Sequence, residues 1–173
     1  DVKKVMIDDG IFILEVEYIG DILAKVQFER FYLDRIFYYS LTSLSKLFAS
    51  HGMYIADVEK IEPHGGSLRI FIRKGLNSGS PTVISLLEEE KVTLSLSNLE
   101  EFKQKVDAYI SAFRGKLEDY KNKGLRVAGY SAPARVSTIC NYGDIGPSLI
   151  KFIVDDSLLK QNRFSPGTHI PIV

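Results

Sequence analysis

Apolar positions in the first 75 residues alternate between strand and helix spacing. A short apolar run at residues 11–17 predicts a buried strand. Ser40 then precedes a helical pattern that ends at residues 51–52, where a glycine suits the left-handed position after a helix. Residues 53–62 and 67–74 alternate apolar and polar side chains around a Pro-His-Gly-Gly turn. We expect these three strands to form one sheet, with the last two paired as an antiparallel hairpin.

The second half of the chain predicts a long helix followed by a β-α-β unit. Apolar side chains recur every three or four residues over residues 99–120, and Ser97 has the spacing of a capping box. Residues 125–130 and 148–154 predict two strands, and Pro133 suits the first turn of the helix between them. Such a unit places its strands in parallel. The pattern therefore predicts an α/β fold with two sheets, the second of the doubly wound type.

Composition and charge exclude several classes of protein. The 173 residues hold 22 basic and 22 acidic side chains, so the net charge of zero argues against a general nucleic-acid binder. One cysteine and three histidines are too few for a zinc cluster, and no metal site is expected. No apolar run approaches the roughly 20 residues of a membrane span, and a reducing cytoplasm fits the single cysteine. Because the chain begins at Asp1 rather than Met, we expect it to be a fragment.

The β-α-β unit is a possible ligand site. In doubly wound sheets, ligands bind beyond the carboxyl ends of the strands, and phosphate often lies on the first turn of the following helix. The motif "GYSAPAR" occupies this place, with Gly129 for close backbone approach and Arg135 as a cation. Asp155 ends the next strand, near the place of a ribose-binding acid. One interpretation is a site for a nucleotide-type ligand. The other is an ordinary βα turn, which stays open because the sequence has no GxGxxG.

Two histidines and the cysteine have contrasting surroundings. His169 lies in "PGTHIPIV", where prolines and a glycine fix the backbone on both sides, which favours a ligand contact. Lys160 and Gln161 lie in the preceding loop and are, taken singly, ordinary surface residues. His64 is in a hairpin turn and favours a solvent-exposed role, and Cys140 favours a buried thiol over a nucleophile.

Residues 28–40, "FERFYLDRIFYYS", form an aromatic segment with interspersed charges. The more common interpretation of such a segment is core with a charged, solvated face, because aromatic side chains dominate core burial. The alternative is an active-site segment with aromatic walls around a few acid–base groups.

Taken in order, several segments resemble one protein family. "IFILEVEY", "FYLDRIFYYSL", "HGGSLR", "GYSAPAR" and "KQNRFSPGTHIPI" are similar to the C-terminal part of the S-adenosylmethionine-dependent sugar C-methyltransferases, over nearly the whole chain. The resemblance implies that residues 1–75 end a class I methyltransferase sheet (strand, helix, antiparallel hairpin) and that residues 76–173 begin a Rossmann-like domain with a long helix and a parallel β-α-β unit. It also implies that the S-adenosylmethionine site lies upstream of Asp1, so that no cofactor is expected in this chain.

The resemblance also suggests an altered active site. The family usually has a Tyr-His-Glu-His run where this sequence has Tyr32, Leu33, Asp34 and Arg35, so the tyrosine and an acid are kept and both histidines are replaced. The family chemistry implies removal of a proton next to a keto group, which an arginine cannot perform because it stays protonated. We therefore expect Tyr32 or Asp34 as the base, with Arg35 stabilising an enolate or holding phosphate. The motif "GYSAPAR" also departs from the usual "GYGAxxKG".

The family further implies a site for a nucleotide-linked deoxysugar. The expected substrate contacts are His64, Arg69, Ser131, Arg135, Asn141, Lys160, Gln161 and His169. We also expect six residues to converge on one cleft between the two halves of the chain: Tyr32, Arg35, Arg135, Asn141, Lys160 and His169.

Three functions are compatible with these features. The first is a parent C-methyltransferase with altered acid–base residues, of which this chain alone is inactive. The second is a non-catalytic module that binds a nucleotide sugar or phosphate and has lost methyl transfer. The third, a nicotinamide-dependent enzyme, is disfavoured by the missing fingerprint. The sequence does not indicate the sugar, the carbon that is methylated, the pathway or the oligomeric state.

Overall fold

A computed structural model describes all residues from 1 to 173. The chain divides into two compact units, and each takes up two stretches of sequence. The first unit comprises Asp1–Lys25 and Phe37–Glu101, and the second comprises Val26–Ile36 and Phe102–Val173. The division therefore does not fall at one point near residue 75. Part of the aromatic segment belongs to the second unit, and the residues directly after position 75 belong to the first.

The first unit is built on a three-stranded antiparallel sheet. Its elements are α1 (Val2–Val5), β1 (Phe12–Glu17), α2 (Ile19–Ala24), α3 (Leu41–Ser50), β2 (Met53–Ile61), a 3₁₀ turn (Pro63–Gly65), β3 (Ser67–Lys74) and α4 (Pro81–Thr93). Strand β3 lies in the centre and pairs antiparallel with β1 and with β2. The three-stranded sheet and its antiparallel hairpin are as the alternation predicted.

The core of the first unit follows directly from this alternation. Leu68, Ile70 and Ile72 share one face of β3 and are fully buried. Helix α3 packs against this sheet with Leu41 and Leu44. Ser40 caps the helix as expected, and it forms a complete capping box with Ser43.

The second unit is built on a mostly parallel four-stranded sheet. Its elements are a 3₁₀ turn (Phe28–Arg30), the part of α5 (Leu96–Asn122) from residue 102 onward, β4 (Val127–Tyr130), α6 (Ala134–Tyr142), β5 (Ile150–Val154), β6 (Arg163–Phe164) and β7 (Pro171–Ile172). The strand order is β4-β5-β7-β6. Strands β4, β5 and β7 are parallel, and β6 pairs antiparallel with β7. The parallel pair β4–β5 agrees with the predicted β-α-β unit.

Two features of the helices differ from the sequence expectation. A separate helix, α4, begins after the Ser80 cap, in a stretch that the apolar pattern did not resolve. Helix α5 begins at Leu96, so Ser97 lies inside the helix and does not start it. None of the helices combines the length and apolar character that crossing a membrane requires.

Candidate functional site

The first half of the aromatic segment packs on helix α6 within the second unit. The ring of Phe28 lies 5.8 Å from that of Tyr142, and the hydroxyl of Thr138 donates to the carbonyl of Phe31 at 3.0 Å. On the other side, the Phe31 ring meets Phe102 of α5 edge to face at 6.1 Å. These aromatic contacts fix the backbone of residues 28–31 and thereby position the residues that follow.

A cavity of about 590 Å³ lies between this segment and α6. We call it the α6 cavity. It is lined by Phe31, Tyr32, Leu33, Asp34, Ala134, Ser137, Thr138, Asn141, Tyr142 and Pro166. Aromatic and aliphatic groups form most of its wall, and a few polar groups are set among them, which is the usual constitution of a small-molecule site.

Tyr32 and Asp34, two of the expected catalytic residues, both line the α6 cavity. The guanidinium of Arg35 lies 5.9 Å from the centroid of the Tyr32 ring, in a cation–π arrangement. Arg35 therefore interacts with the face of the Tyr32 ring. Asp34 is the one side chain among the cavity lining that carries a formal charge.

Asn141 lines the cavity but uses both amide hydrogens within the protein. Its Nδ2 donates to the carbonyl of Ser137 at 2.7 Å and to that of Pro166 at 2.9 Å. The space beside Gly167, where any other residue would carry a Cβ, is occupied by the Asn141 amide. Asn141 therefore clamps α6 to the turn that contains Pro166 and Gly167, and its amide nitrogen has no hydrogen left to donate to a ligand.

Asp155 organises a second cluster at the carboxyl ends of β4 and β5. Its carboxylate accepts the N–H of Ala132 at 2.6 Å and of Ser157 at 3.0 Å, and Lys160 Nζ lies 3.2 Å away. These hydrogen bonds lower the pKa of Asp155, and the bond from Ala132 has the largest effect. Gln161 donates from its side chain to the Asp155 carbonyl at 3.0 Å. Asp155 therefore braces two loops and is not a free ribose ligand.

Ser131 and His169 are both held in left-handed backbone conformations. Ser131 has φ 69°, and its N–H donates to the carbonyl of Val154 at 2.7 Å, which links β4 to β5. His169 has φ 54° and is exposed, and its N–H donates to the carbonyl of Ser165. Left-handed residues other than glycine store strain and are concentrated at functional sites.

Arg135 lies in the first turn of α6, and its guanidinium lies 3.9 Å from the carboxylate of Glu29. Both residues belong to the second unit, as do all six residues that were expected in one cleft. The structure brings Tyr32, Asp34 and Asn141 together at the α6 cavity, whereas Lys160 joins the cluster around Asp155.

The two remaining candidates, His64 and Arg69, lie in the first unit. Arg69 is on the central strand β3 and donates across the sheet to Glu15 at 2.6 Å and to Glu59 at 3.3 Å. His64 is exposed in the 3₁₀ turn, with φ 58°. Arg69 therefore forms cross-strand ion pairs, a common role for charged residues on the solvated face of a sheet.

Sequence reasoning missed most of the α6 wall. Ala134, Ser137, Thr138 and Asn141 recur at i, i+3, i+4 and i+7, so they share one face of the helix, and only Asn141 was expected at the site. This spacing of small and polar residues was a usable signal. Cys140, between them in sequence, points into the core, and burial raises the pKa of its thiol, in keeping with a structural role.

Comparison with known proteins identifies the family. The family model described as the C-methyltransferase C-terminal domain matches residues 62–173. The chain is also 31% identical over 175 aligned positions to the C-methyltransferase NovU of Streptomyces niveus, an alignment that covers 99% of this chain and 42% of that relative. The chain thus spans less than half the length of this curated relative. It belongs to the C-methyltransferase C-terminal domain family.

Proposed function

We propose that this chain is the C-terminal part of an S-adenosylmethionine-dependent C-methyltransferase and that it contributes the site for a nucleotide-linked deoxysugar. The observation that carries the proposal is the α6 cavity, because Tyr32 and Asp34, at the positions of the family's Tyr-His-Glu-His run, line it. The family match and the similarity to a C-methyltransferase support the same reaction class.

The residues of the first unit do not fit a methyl donor of the S-adenosylmethionine type. Doubly wound folds bind such ligands in a crevice beyond the carboxyl ends of parallel strands. All strand pairings of the first sheet are antiparallel, so it has no such crevice. We therefore assign no residue of the first unit to the methyl donor.

The proton step falls to Asp34 or Tyr32. Both are at the cavity wall, where a carbon next to a keto group would have to lose its proton. Arg35 keeps its charge at every relevant pH and lies over the Tyr32 ring, so its contribution is electrostatic: it favours the negative charge that develops on the enolate oxygen.

The phosphates of the substrate are assigned to Arg135. Its side chain is 41% exposed, and its position in the first turn of α6 favours an anion. The pairing with Glu29 is long, at 3.9 Å, so an incoming phosphate competes with a weak partner. We also keep Ser131, Lys160, Gln161 and His169 as candidate contacts, together with His64 and Arg69 of the first unit.

Titration calorimetry tests this proposal. The ligands are UDP, dTDP, GDP and CDP and their glucose conjugates, because the base is not known. We expect the protein to bind the two ligands that carry one of the four bases. Arg135→Ala should weaken the binding of that nucleoside diphosphate by about 1.5–3 kcal/mol, as for loss of a hydrogen bond from a charged group. The loss is larger at low salt than at high salt. Lack of binding by all eight ligands would refute the proposed function.

The second candidate is a binding module without catalysis, in which the same cavity holds the sugar. The replacement of both family histidines, by Leu33 and Arg35, favours it, because neither residue can take a proton at neutral pH. Transfer of a labelled methyl group by the longer parent protein separates the two: incorporation into a nucleotide sugar supports the enzyme, and binding without incorporation supports the module. A cytoplasmic location and the lack of a nucleic-acid partner stay predictions from composition.

A further inference from the structure

A chain of short hydrogen bonds fixes one wall of the α6 cavity. Lys103 Nζ donates to Asp107 Oδ2 at 2.6 Å, and the hydroxyl of Tyr142 donates to Asp107 Oδ1 at 2.6 Å. Lys103 and Asp107 are one turn apart on α5, and Tyr142 ends α6. Both oxygens of the Asp107 carboxylate are therefore engaged, and the Tyr142 ring is tethered at its far end.

This tether uses the one hydrogen that the Tyr142 hydroxyl can donate, so the ring is the main surface that Tyr142 offers a ligand. The hydrogen bond from Lys103 and, to a smaller extent, that from Tyr142 lower the pKa of Asp107. The bond to Asp107 raises the pKa of Tyr142, so the phenol remains a donor. One neighbour of the ring is Phe28, at 5.8 Å between ring centroids, and Tyr142 as a residue is about half exposed. Tyr142 thus acts as a rigid apolar surface.

The charge of the cavity selects what can lie against this surface. Asp34 lines the cavity, and no lysine or arginine does so. A diphosphate inside it would lie against this carboxylate with no cation in the wall to contact directly, since Arg35 lies over the Tyr32 ring, and this is unfavourable in a partly desolvated place. An uncharged ring with hydroxyl groups suits it, because the hydroxyls can donate to Asp34 and the carbon face of the ring can pack on aromatic side chains.

We infer that Asp107 is a positioning residue which, together with Lys103, holds Tyr142 as the wall of a subsite for the uncharged sugar ring of the ligand. This inference rests on the proposed function, since it divides the substrate between the α6 cavity and Arg135. It assigns the sugar to the cavity and the phosphates outside it.

The experiment uses the base whose ligands bind best. It compares the affinity for the glucose conjugate with the affinity for the nucleoside diphosphate of that base. Asp107→Ala removes both hydrogen bonds of the tether. It should weaken binding of the conjugate about tenfold and leave binding of the nucleoside diphosphate unchanged. Asp107→Asn keeps an oxygen that accepts from Tyr142 and should restore most of this loss. Tyr142→Phe keeps the ring and loses the tether, so it should resemble Asp107→Ala.

Asp119→Ala is the matched control, because Asp119 of the same helix forms the same type of pair with Lys123, the residue directly after α5, also at 2.6 Å, and does not line the cavity. It should leave both ligands unchanged. Equal binding of the conjugate by Asp107→Ala and Asp119→Ala would overturn the inference and leave the proposed function intact. Equal loss of the conjugate and the nucleoside diphosphate in Asp107→Ala would also overturn it. No binding by the unaltered chain would refute both proposals.

Discussion

At the scale of single residues, Asp155 shows how a residue that resembles a ligand can serve the fold. It directly follows β5, at the place where a ribose-binding acid was expected, yet its carboxylate accepts from Ala132, Ser157 and Lys160. Two of these donors are backbone N–H groups of the turns that present Ser131 and Lys160. The carboxylate therefore stabilises the geometry of the strand ends from within.

Asp155 should make the stability of the protein depend on pH. Because its pKa is lowered in the folded state, its contribution is complete above the unfolded value of about 3.9 and is lost as the pH falls through the folded pKa. Asp155→Asn should lower the melting temperature at pH 7, and the difference from the unaltered protein should shrink below about pH 4. Asp156→Asn is the control, since Asp156 is exposed. A difference that is constant with pH would contradict this account.

Arg35 offers a test of the missing base at the same scale. Arg35→His in the longer parent protein restores a group that can take a proton, and it should raise methyl transfer about tenfold or more. The gain should appear as the pH rises through about 6.5, where a histidine loses its proton. Arg35→Gln is neutral but cannot act as a base, so it should show no such gain. A similar rise in both variants would mean that removal of the positive charge is the cause.

At the scale of elements, a buried glutamate holds the start of α3. Glu90 of α4 is 2% exposed, and its carboxylate accepts from the N–H groups of Leu41 and Thr42, each at 2.7 Å, and from the Thr42 hydroxyl at 2.6 Å. The first N–H groups of a helix have no partner inside it and favour a negative charge. Burial next to Glu90 also raises the pKa of Tyr18, so that residue stays a phenol.

Replacement of Glu90 by alanine should destabilise the first unit strongly. It leaves the buried N–H of Leu41 and the partly buried N–H of Thr42 without partners, and the expected loss is about 2–4 kcal/mol of the free energy of unfolding in urea. Glu89→Ala is the control in the neighbouring position, because Glu89 is half exposed and forms one ion pair with Lys60. That control should cost less than about 1 kcal/mol. Equal losses would show that Glu90 is not the anchor of α3.

The elements also show how far the sequence was sufficient. The pattern of apolar residues predicted the three strands of the first sheet, where one buried face gives a period of two, as in Leu68, Ile70 and Ile72. It also predicted β4 and β5 of the second sheet, but not the two-residue strands β6 and β7, which are too short to show a period. No such period identified the buried residue in the run Glu88-Glu89-Glu90. Only the fold distinguishes the buried Glu90 from Glu88 and Glu89, which face solvent. The aromatic segment likewise fitted both interpretations, with core the more common one. In the structure Phe28 and Phe31 pack, whereas Tyr32 and Asp34 line the α6 cavity.

At the scale of the whole molecule, each unit has a hydrophobic core of its own. Ile70 belongs to the core of the first unit and Ile153 to that of the second, and both are almost completely buried, at 0% and 2% exposure. The first core draws on both stretches of its unit, because the chain leaves that unit at residue 26 and returns to it at residue 37, whereas the second core lies within residues 117–170. Each unit therefore has the main requirement for unfolding as a cooperative body.

We expect differential scanning calorimetry to resolve two transitions that respond to different substitutions. Ile70→Ala and Ile153→Ala remove the same atoms from sites of similar burial, and each should cost about 2–5 kcal/mol through lost packing and the cavity that remains. Ile70→Ala should lower one transition and Ile153→Ala the other, and a ligand of the α6 cavity should raise only the transition that Ile153→Ala lowers. A single transition that both substitutions lower equally would show that the two cores unfold as one.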